Sequence, residues 1–242
     1  MIKKKIQEVE YVIFDIETTG FNPINDQIIE IGAVKINGEG KVIAEFQKFI
    51  SLYKVNKLPK KIIELTHIDD KMLQQQGIDI DIVMEQFYKF FKGTVLVAQN
   101  TKFDMSFIDT YYLKDKAIFL ENLTLDTIDL AKKIYPNKKT YKLAKLIEYF
   151  NVDYDADAHH RADYDALITS QIFIKGMTEI IQKENKQDIK ELVEIFNIEE
   201  ATQNQKRYLY TLLKSNEITL EQKVYLSKFN AARQISILAS DE

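Results

Sequence analysis

The segment YVIFDIETTG, residues 11–20, constrains the fold more than any other, because an apolar β-type run carries Asp15 and Glu17 two positions apart. Strand side chains alternate between faces, so residues two apart leave the same face and can share one ligand. A solvent-facing strand edge with two surface acids is the plain alternative, yet residues 11–14 and Ile16 are all apolar. Two like charges held inside a sheet raise each other's pKa unless a cation balances them. The segment therefore calls for an interior strand and a counter-charge.

The rest of the first three-quarters supplies a sheet around that strand. Residues 27–36 and 41–50 read as strands, with Gly38-Glu39-Gly40 as the hairpin turn between them. After Pro59 the period becomes helical, first through Ile62, Ile63 and Leu65, then through Ile82, Val83, Phe87, Phe90 and Phe91, with Gly93 as the stop. TVLVAQ, residues 94–99, is a short continuous apolar run suited to a buried strand, and residues 102–113 return to helix with Phe103, Phe107 and Tyr111 on one face. Strand then helix recurs at 123–126 and 127–135, and helices are expected at 141–150 and 162–182. The expected fold class is α/β, a mixed sheet flanked by helices.

A polar stretch at 182–190 reads as a linker, which divides the chain into residues 1–182 and a small all-helical module, 183–242. In that module Thr202 with Gln205 and Thr219 with Gln222 both fit the capping box, and Tyr208, Leu209, Leu212 and Leu213 are expected to pack on Ala231, Ile235 and Leu238 in three or four short helices.

The chain has no cysteine, which excludes disulfides, thiolate zinc sites and cysteine nucleophiles. The N-terminal apolar run is too short for a signal peptide or a membrane span, so a cytoplasmic protein without membrane contact is expected. The net charge of −4 does not speak against an anionic partner. Residues 1–182 hold 24 Lys+Arg against 27 Asp+Glu, so setting aside four acids as cation ligands leaves a slight basic excess.

Two further acids and a histidine join the first pair. Asp104 falls in the first turn of a helix directly after a buried strand, the crevice where open α/β sheets bind ligands, although an acid there also simply complements the helix dipole. Asp165 lies in an amphipathic helix, and His160 precedes it by five residues, near the helix start. A neutral imidazole with a pKa of ~6.5 can accept a proton near neutral pH. His159 competes for that role, and His67 reads as a capping or core residue. Residues 132–145 hold six lysines and two tyrosines with no acid, either a track for phosphates or a solvated face.

The ordered set FDIETTG, AQNTKFDMSF and HHRADYDA resembles the DnaQ-like, histidine-type DEDD exonucleases. Through IIEIGAVKI and IIELTHIDDKML the resemblance is closest to the proofreading exonuclease domain embedded in bacterial C-family replicative polymerases, and it spans residues 10 to about 176. It implies a ribonuclease H-like fold and metal-dependent 3′ to 5′ removal of nucleotides, with Asp15, Glu17, Asp104 and Asp165 holding two Mg²⁺ or Mn²⁺ ions and His160 as general base. It further implies that Thr18, Thr19, Gly20 and Phe21, with Asn100 and Phe103, meet the terminal nucleotide, Phe21 by stacking on the base. Two positions depart from the pattern: Gln99 stands where relatives usually have His, and His67 where Gly is common.

The implied partners are single-stranded 3′ ends, of DNA rather than RNA, and a separately made DNA polymerase. An exoribonuclease using the same groups and a catalytically idle nuclease-like binding module remain the alternatives. The helical tail, with nine basic and ten acidic residues, lacks the charge of a DNA-binding arm and is expected to dock a partner or substrate.

Overall fold

A computed structural model describes residues 6–155, 161–183, 196, 198–219 and 226–241. Five strands form one sheet in the order β3-β2-β1-β4-β5. β1 (Tyr11–Thr18), β2 (Ile28–Ile36) and β3 (Val42–Phe49) run antiparallel, with β2 and β3 joined through the predicted Gly38-Glu39-Gly40 turn, where Asn37 Oδ1 accepts the amides of Glu39 and Lys41. β4 (Val95–Ala98) lies parallel to β1, and β5 (Thr124–Asp126) parallel to β4. This is the mixed α/β sheet that the pattern of residues implied, with the ribonuclease H-like arrangement that the resemblance implied and β1 at its centre.

Helices cover both faces. α1 (Lys60–Thr66), α2 (Asp70–Gln76) and α3 (Ile80–Phe91) precede β4, and α4 (Thr101–Thr110) follows it. α5 (Thr127–Ile134), α6 (Leu143–Tyr149) and α7 (Ala162–Lys183) complete the first three-quarters. The alternation along β1 decides which helix meets which residue. Tyr11 and Ile13 pack with Phe173, Ile168 and Ile172 of α7 and with Leu130 of α5, whereas Val12, Phe14 and Ile16 pack with Phe87 and Met84 of α3 and Met105 and Ile108 of α4. Two-sided cover explains why β2 is apolar almost throughout.

α4 stops its regular winding sooner than the periodicity suggests and continues as a π-helical stretch, Tyr111–Asp115. The wider turn lets two consecutive tyrosines reach α3 together: Tyr111 Oη donates to Asp81 Oδ1 and Tyr112 Oη to the Met84 carbonyl, both at 2.7 Å. His67 is exposed and left-handed, φ 58°, and its amide donates to the Ile63 carbonyl, so it closes α1 as a cap. That backbone conformation is the reason glycine suits the position.

The tail contributes α8 (Gln203–Ser215) and α9 (Lys228–Leu238) among the described residues. The Thr202–Gln205 capping box forms as expected, while Gln222 of the second box and most of the 182–190 linker lie outside the described residues. Leu209, Leu212, Leu213, Ala231 and Leu238 are buried together, but Tyr208, expected in that set, is exposed. Their apolar cluster also takes in Leu113 and Phe119 of the preceding domain, so the tail packs directly on it. Arg233 Nε donates to Asp109 Oδ2 of α4 at 2.6 Å, and Asn230 binds both Thr124 Oγ1 and the Asn122 carbonyl beside β5. No described helix is long and apolar enough to cross a membrane.

Candidate metal centre

The alternation that sends Tyr11 and Ile13 toward α7 continues through Asp15 and Glu17, so both carboxylates emerge on the α7 side of the central strand. Asp165, in the first turn of α7, reaches the same place. One carboxylate oxygen from each of Asp15, Glu17 and Asp165 lies within 4.8 Å of the other two. Close approach of α7 depends on Gly32, the partner of Asp15 on β2, because a Cβ there would come within 2.1 Å of the Ala162 carbonyl carbon and the Asp163 nitrogen.

Asp104 arrives from the opposite face of the sheet. It is buried in α4, and its Oδ1 accepts the amide of Ile16, the residue between Asp15 and Glu17, at 3.3 Å. The four acids thus surround one stretch of β1, with three forming a compact oxygen cluster and the fourth bonded to the backbone between two of them.

Burial, followed by the charges of Asp104, Glu17 and Asp165, holds Asp15 well above the usual carboxylate range. Glu17 is pushed up to about 9, chiefly by burial and then by Asp165, Glu30 and Asp104, with Arg161 opposing. Asp104 is also raised by burial, against the pull of backbone amides including that of Ile16. An all-oxygen donor set under this mutual repulsion fits a hard divalent cation such as Mg²⁺ or Mn²⁺. His160 and His159 lie outside the described residues.

The remaining predicted residues fall into two groups. Thr18 and Thr19 are buried, and their hydroxyls build the bend: Thr18 Oγ1 donates to the Gly20 carbonyl at 2.6 Å, and Thr19 Oγ1 lies 3.4 Å from Asp26 Oδ1 while accepting the Gln27 amide. In this structure both hydroxyls bond within the turn. Gly20 sits against the Asp26 carboxylate, 2.4 Å from where a Cβ would be, so a side chain there would require that carboxylate to shift. Phe21 is 82% exposed, and its ring meets Phe103 edge-on at 6.2 Å, with Phe103 in turn 5.4 Å from Phe107. An aromatic shelf therefore flanks the acids.

Asn100 is exposed and left-handed, φ 63°, and makes no side-chain cap to α4. Its amide and that of Thr101 instead donate to Asp126 at the end of β5. Gln99 accepts the Thr127 hydroxyl and donates to the Tyr141 carbonyl at 2.9 Å. An amide, which offers donor and acceptor at once, ties β4 to two other segments, so the glutamine has structural work at the crevice rim.

Sequence reasoning did not single out half-buried Asp126 or fully buried Glu30. Asp126 joins β5, α4 and α5 by accepting three backbone amides. Glu30, fully buried and paired with Glu17 across the strands, binds Arg161, the Ala162 amide and Gln47. An acid in the mostly apolar run IIEIGAVKI was the only signal for Glu30, and it named no partner.

Comparison with known proteins agrees with this arrangement. A family model described as exonuclease (RNase_T) matches residues 12–173. The PolC-type DNA polymerase III of Caldanaerobacter subterraneus subsp. tengcongensis is 42% identical over 187 residues, 76% of this chain and 13% of that protein. The PolC-type polymerase III of Bacillus subtilis is 36% identical over 220 residues, 89% of this chain and 15% of that protein. The chain thus spans only a small part of the length of these relatives. Among solved structures, exonuclease X bound to 5′-overhanging duplex DNA superposes with a TM-score of 0.53 at 20% identity, over 77% of this chain and 99% of that one. E. coli exonuclease I bound to dT13 gives 0.60 at 16% identity, over 73% and 42%. With a family match that runs from β1 into α7 and so includes every acid of the centre, the chain belongs to the exonuclease (RNase_T) family.

Proposed function

We propose that this chain is a metal-dependent 3′ to 5′ exonuclease that hydrolyses single nucleotides from DNA 3′ ends, in proofreading or repair. The observation that carries the reading is the convergence of Asp15, Glu17 and Asp165 oxygens within 4.8 Å, with Asp104 bonded to the strand between the first two. Asp15, Glu17, Asp104 and Asp165 hold two Mg²⁺ or Mn²⁺ ions. Such ions supply Lewis acidity at the scissile phosphate and offset negative charge on the leaving 3′ oxygen.

The chain's own groups do the rest. His160, next to Arg161 in sequence, accepts the proton of the attacking water, a contribution worth ~10²–10⁴-fold. Phe21 and Phe103 receive the terminal base by stacking, which is tolerant of base identity, and Asn100 lies at the rim beside the sugar. Support for DNA over RNA comes from the relatives, which are DNA polymerases, and from neighbours of like fold that were solved with DNA. Residues 1–182 form the nuclease unit. Residues 183–242 form a small helical module that docks a partner or substrate, and the chain works with a polymerase made separately or on its own.

Digestion of end-labelled single-stranded and mismatched duplex DNA, with and without Mg²⁺, tests the reading. Metal-dependent shortening from the 3′ end is expected, faster on unpaired ends, and RNA of the same sequence should be cut more slowly. Shortening from the 5′ end, or none with either nucleic acid, would overturn it.

A further inference from the structure

Resting on the reading above, we infer that Glu30 is the positioning residue of the metal centre, the group that fixes where α7, and hence Asp165, stands relative to β1. Glu30 is fully buried on β2, between Glu17 on β1 and Phe49 on β3. Its carboxylate receives Arg161 as a fork, with Nη2 2.9 Å from Oε1 and Nε 3.3 Å from Oε2. Oε2 also accepts the Ala162 amide at 3.1 Å, and Oε1 accepts Gln47 Nε2 at 2.7 Å. A forked guanidinium–carboxylate pair fixes orientation as well as distance. The Ala162 bond adds an anion at the first free amide of α7, where the helix dipole favours one.

Arg161 is itself held from a second side. Its guanidinium carbon lies 5.1 Å from the centroid of the Phe49 ring on β3. Arg161 and Ala162 are therefore pinned to β2 and β3 through side chain and main chain together. Asp165 follows one helical turn later, its amide bonded to the Arg161 carbonyl at 2.9 Å, so the clamp and the cluster are joined by a single rigid step. Gly32, two residues along the same strand, lets the helix descend to the depth that the clamp sets.

Glu30 is not a metal ligand in this arrangement. Both of its oxygens already accept two donors each, and a cation on its own side neutralises it. Nor does stability alone account for it, since a buried ion pair is commonly replaced by apolar side chains of like volume with little loss. What an apolar pair does not reproduce is the directional hold on the first turn of α7.

That difference supplies the test. The double substitution Glu30→Met with Arg161→Met keeps volume and leaves no unpaired charge. In the full chain, three quantities are measured: the thermal unfolding midpoint, Mn²⁺ affinity by calorimetry, and kcat and KM on a single-stranded DNA oligonucleotide. Groups that orient metal ligands typically contribute about 10–100-fold to affinity or activity. The expected result is an unfolding midpoint close to that of the parent, Mn²⁺ affinity and kcat each lowered about 10–100-fold, and KM for the oligonucleotide changed less than about threefold. Should the double variant not fold, Glu30→Gln reads the same quantities, because it keeps the shape and an acceptor oxygen but loses the charge-assisted fork. A folded variant with parental Mn²⁺ affinity and kcat overturns the assignment. If the parent chain itself cuts nothing, the proposed function fails, while calorimetry still decides whether Glu30 governs the cation site.

Discussion

Asp15 and Glu17 share the α7-facing side of a strand, and their ionisation is set by that company. Both have folded pKa values raised above those of the unfolded chain, Glu17 to about 9. A carboxyl of this kind contributes stability that is fully present below its unfolded pKa and is lost as pH rises through the folded value. In the presence of a chelator, the chain should therefore become less stable from about pH 5 toward pH 9. Divalent cations should offset that loss, so the gain in unfolding temperature on adding Mg²⁺ should be larger at pH 9 than at pH 6; differential scanning calorimetry at both values checks it. Asp15→Ala relieves the same repulsion. It should reduce metal-dependent nucleotide release roughly a thousandfold or more, the rate equivalent of about 4 kcal/mol, while leaving the chelator-treated unfolding temperature unchanged or higher. Retained activity would move the chemistry elsewhere. At this scale the convergence of the Asp15 and Glu17 carboxylates was legible because two-residue spacing in a strand is a local fact. Glu30 was not, because its role depends on Arg161, 131 positions away. The Thr19 contact was hidden for a like reason, since the Asp26 carboxylate that shapes the bend comes from the far side of the loop.

Among the elements, α4 joins the sheet, the candidate centre and the tail. Its N-terminus is held by Asp126, its fourth residue is Asp104, and its ninth, Asp109, is buried against Arg233 of α9. Burial pushes Asp109 up more than Arg233 draws it down, so the acid depends on its partner. Arg233→Ala leaves an uncompensated charge in the interior, and a loss of about 3–5 kcal/mol in urea unfolding is expected. Arg233→Ala with Asp109→Leu should recover much of it. Asp109 and Asp104 ride one short helix, so the tail packs on the element that carries one of the four acids. Periodicity read most helices well, but it placed α4 through residue 113 in one form. The shift to a π-type turn at Tyr111 follows from two hydrogen bonds to α3 that no window of sequence contains.

For the molecule as a whole, net charge conceals a local basic surface. Lys132, Lys133, Lys138, Lys139, Lys142 and Lys145 are exposed, and the Tyr141 carbonyl within that segment bonds to Gln99, next to Asn100 at the rim. Lys138 lies 4.6 Å from the Tyr149 ring centroid, and Lys145 pairs with Glu148, so these two are engaged locally. Substituting Lys139 and Lys142 by Ala should weaken oligonucleotide binding and reduce its salt slope by about 1.4, at ~0.7 per phosphate contact on a single strand. A titration of affinity against salt concentration measures it, and an unchanged slope would make the segment a solvated face. The strands and the fold class were readable from runs of apolar residues, since each strand and helix announces itself locally, whereas the sheet order β3-β2-β1-β4-β5 was not. The attachment of the tail was not, because Leu113, Phe119 and Leu209 show only that each wants burial, never against what.

The acids that surround β1 come from both sides of the sheet, Asp104 with the layer of α3 and α4, Asp165 with the layer of α5 and α7. Neither half of the interior can condense alone and leave a working centre behind. A chain still emerging from synthesis, or caught half-collapsed, therefore carries no blade, and nucleic acid near it is safe until the last layer closes. Loss of cutting during a denaturant titration should then coincide with loss of tertiary circular dichroism, making hydrolysis a gauge of complete folding.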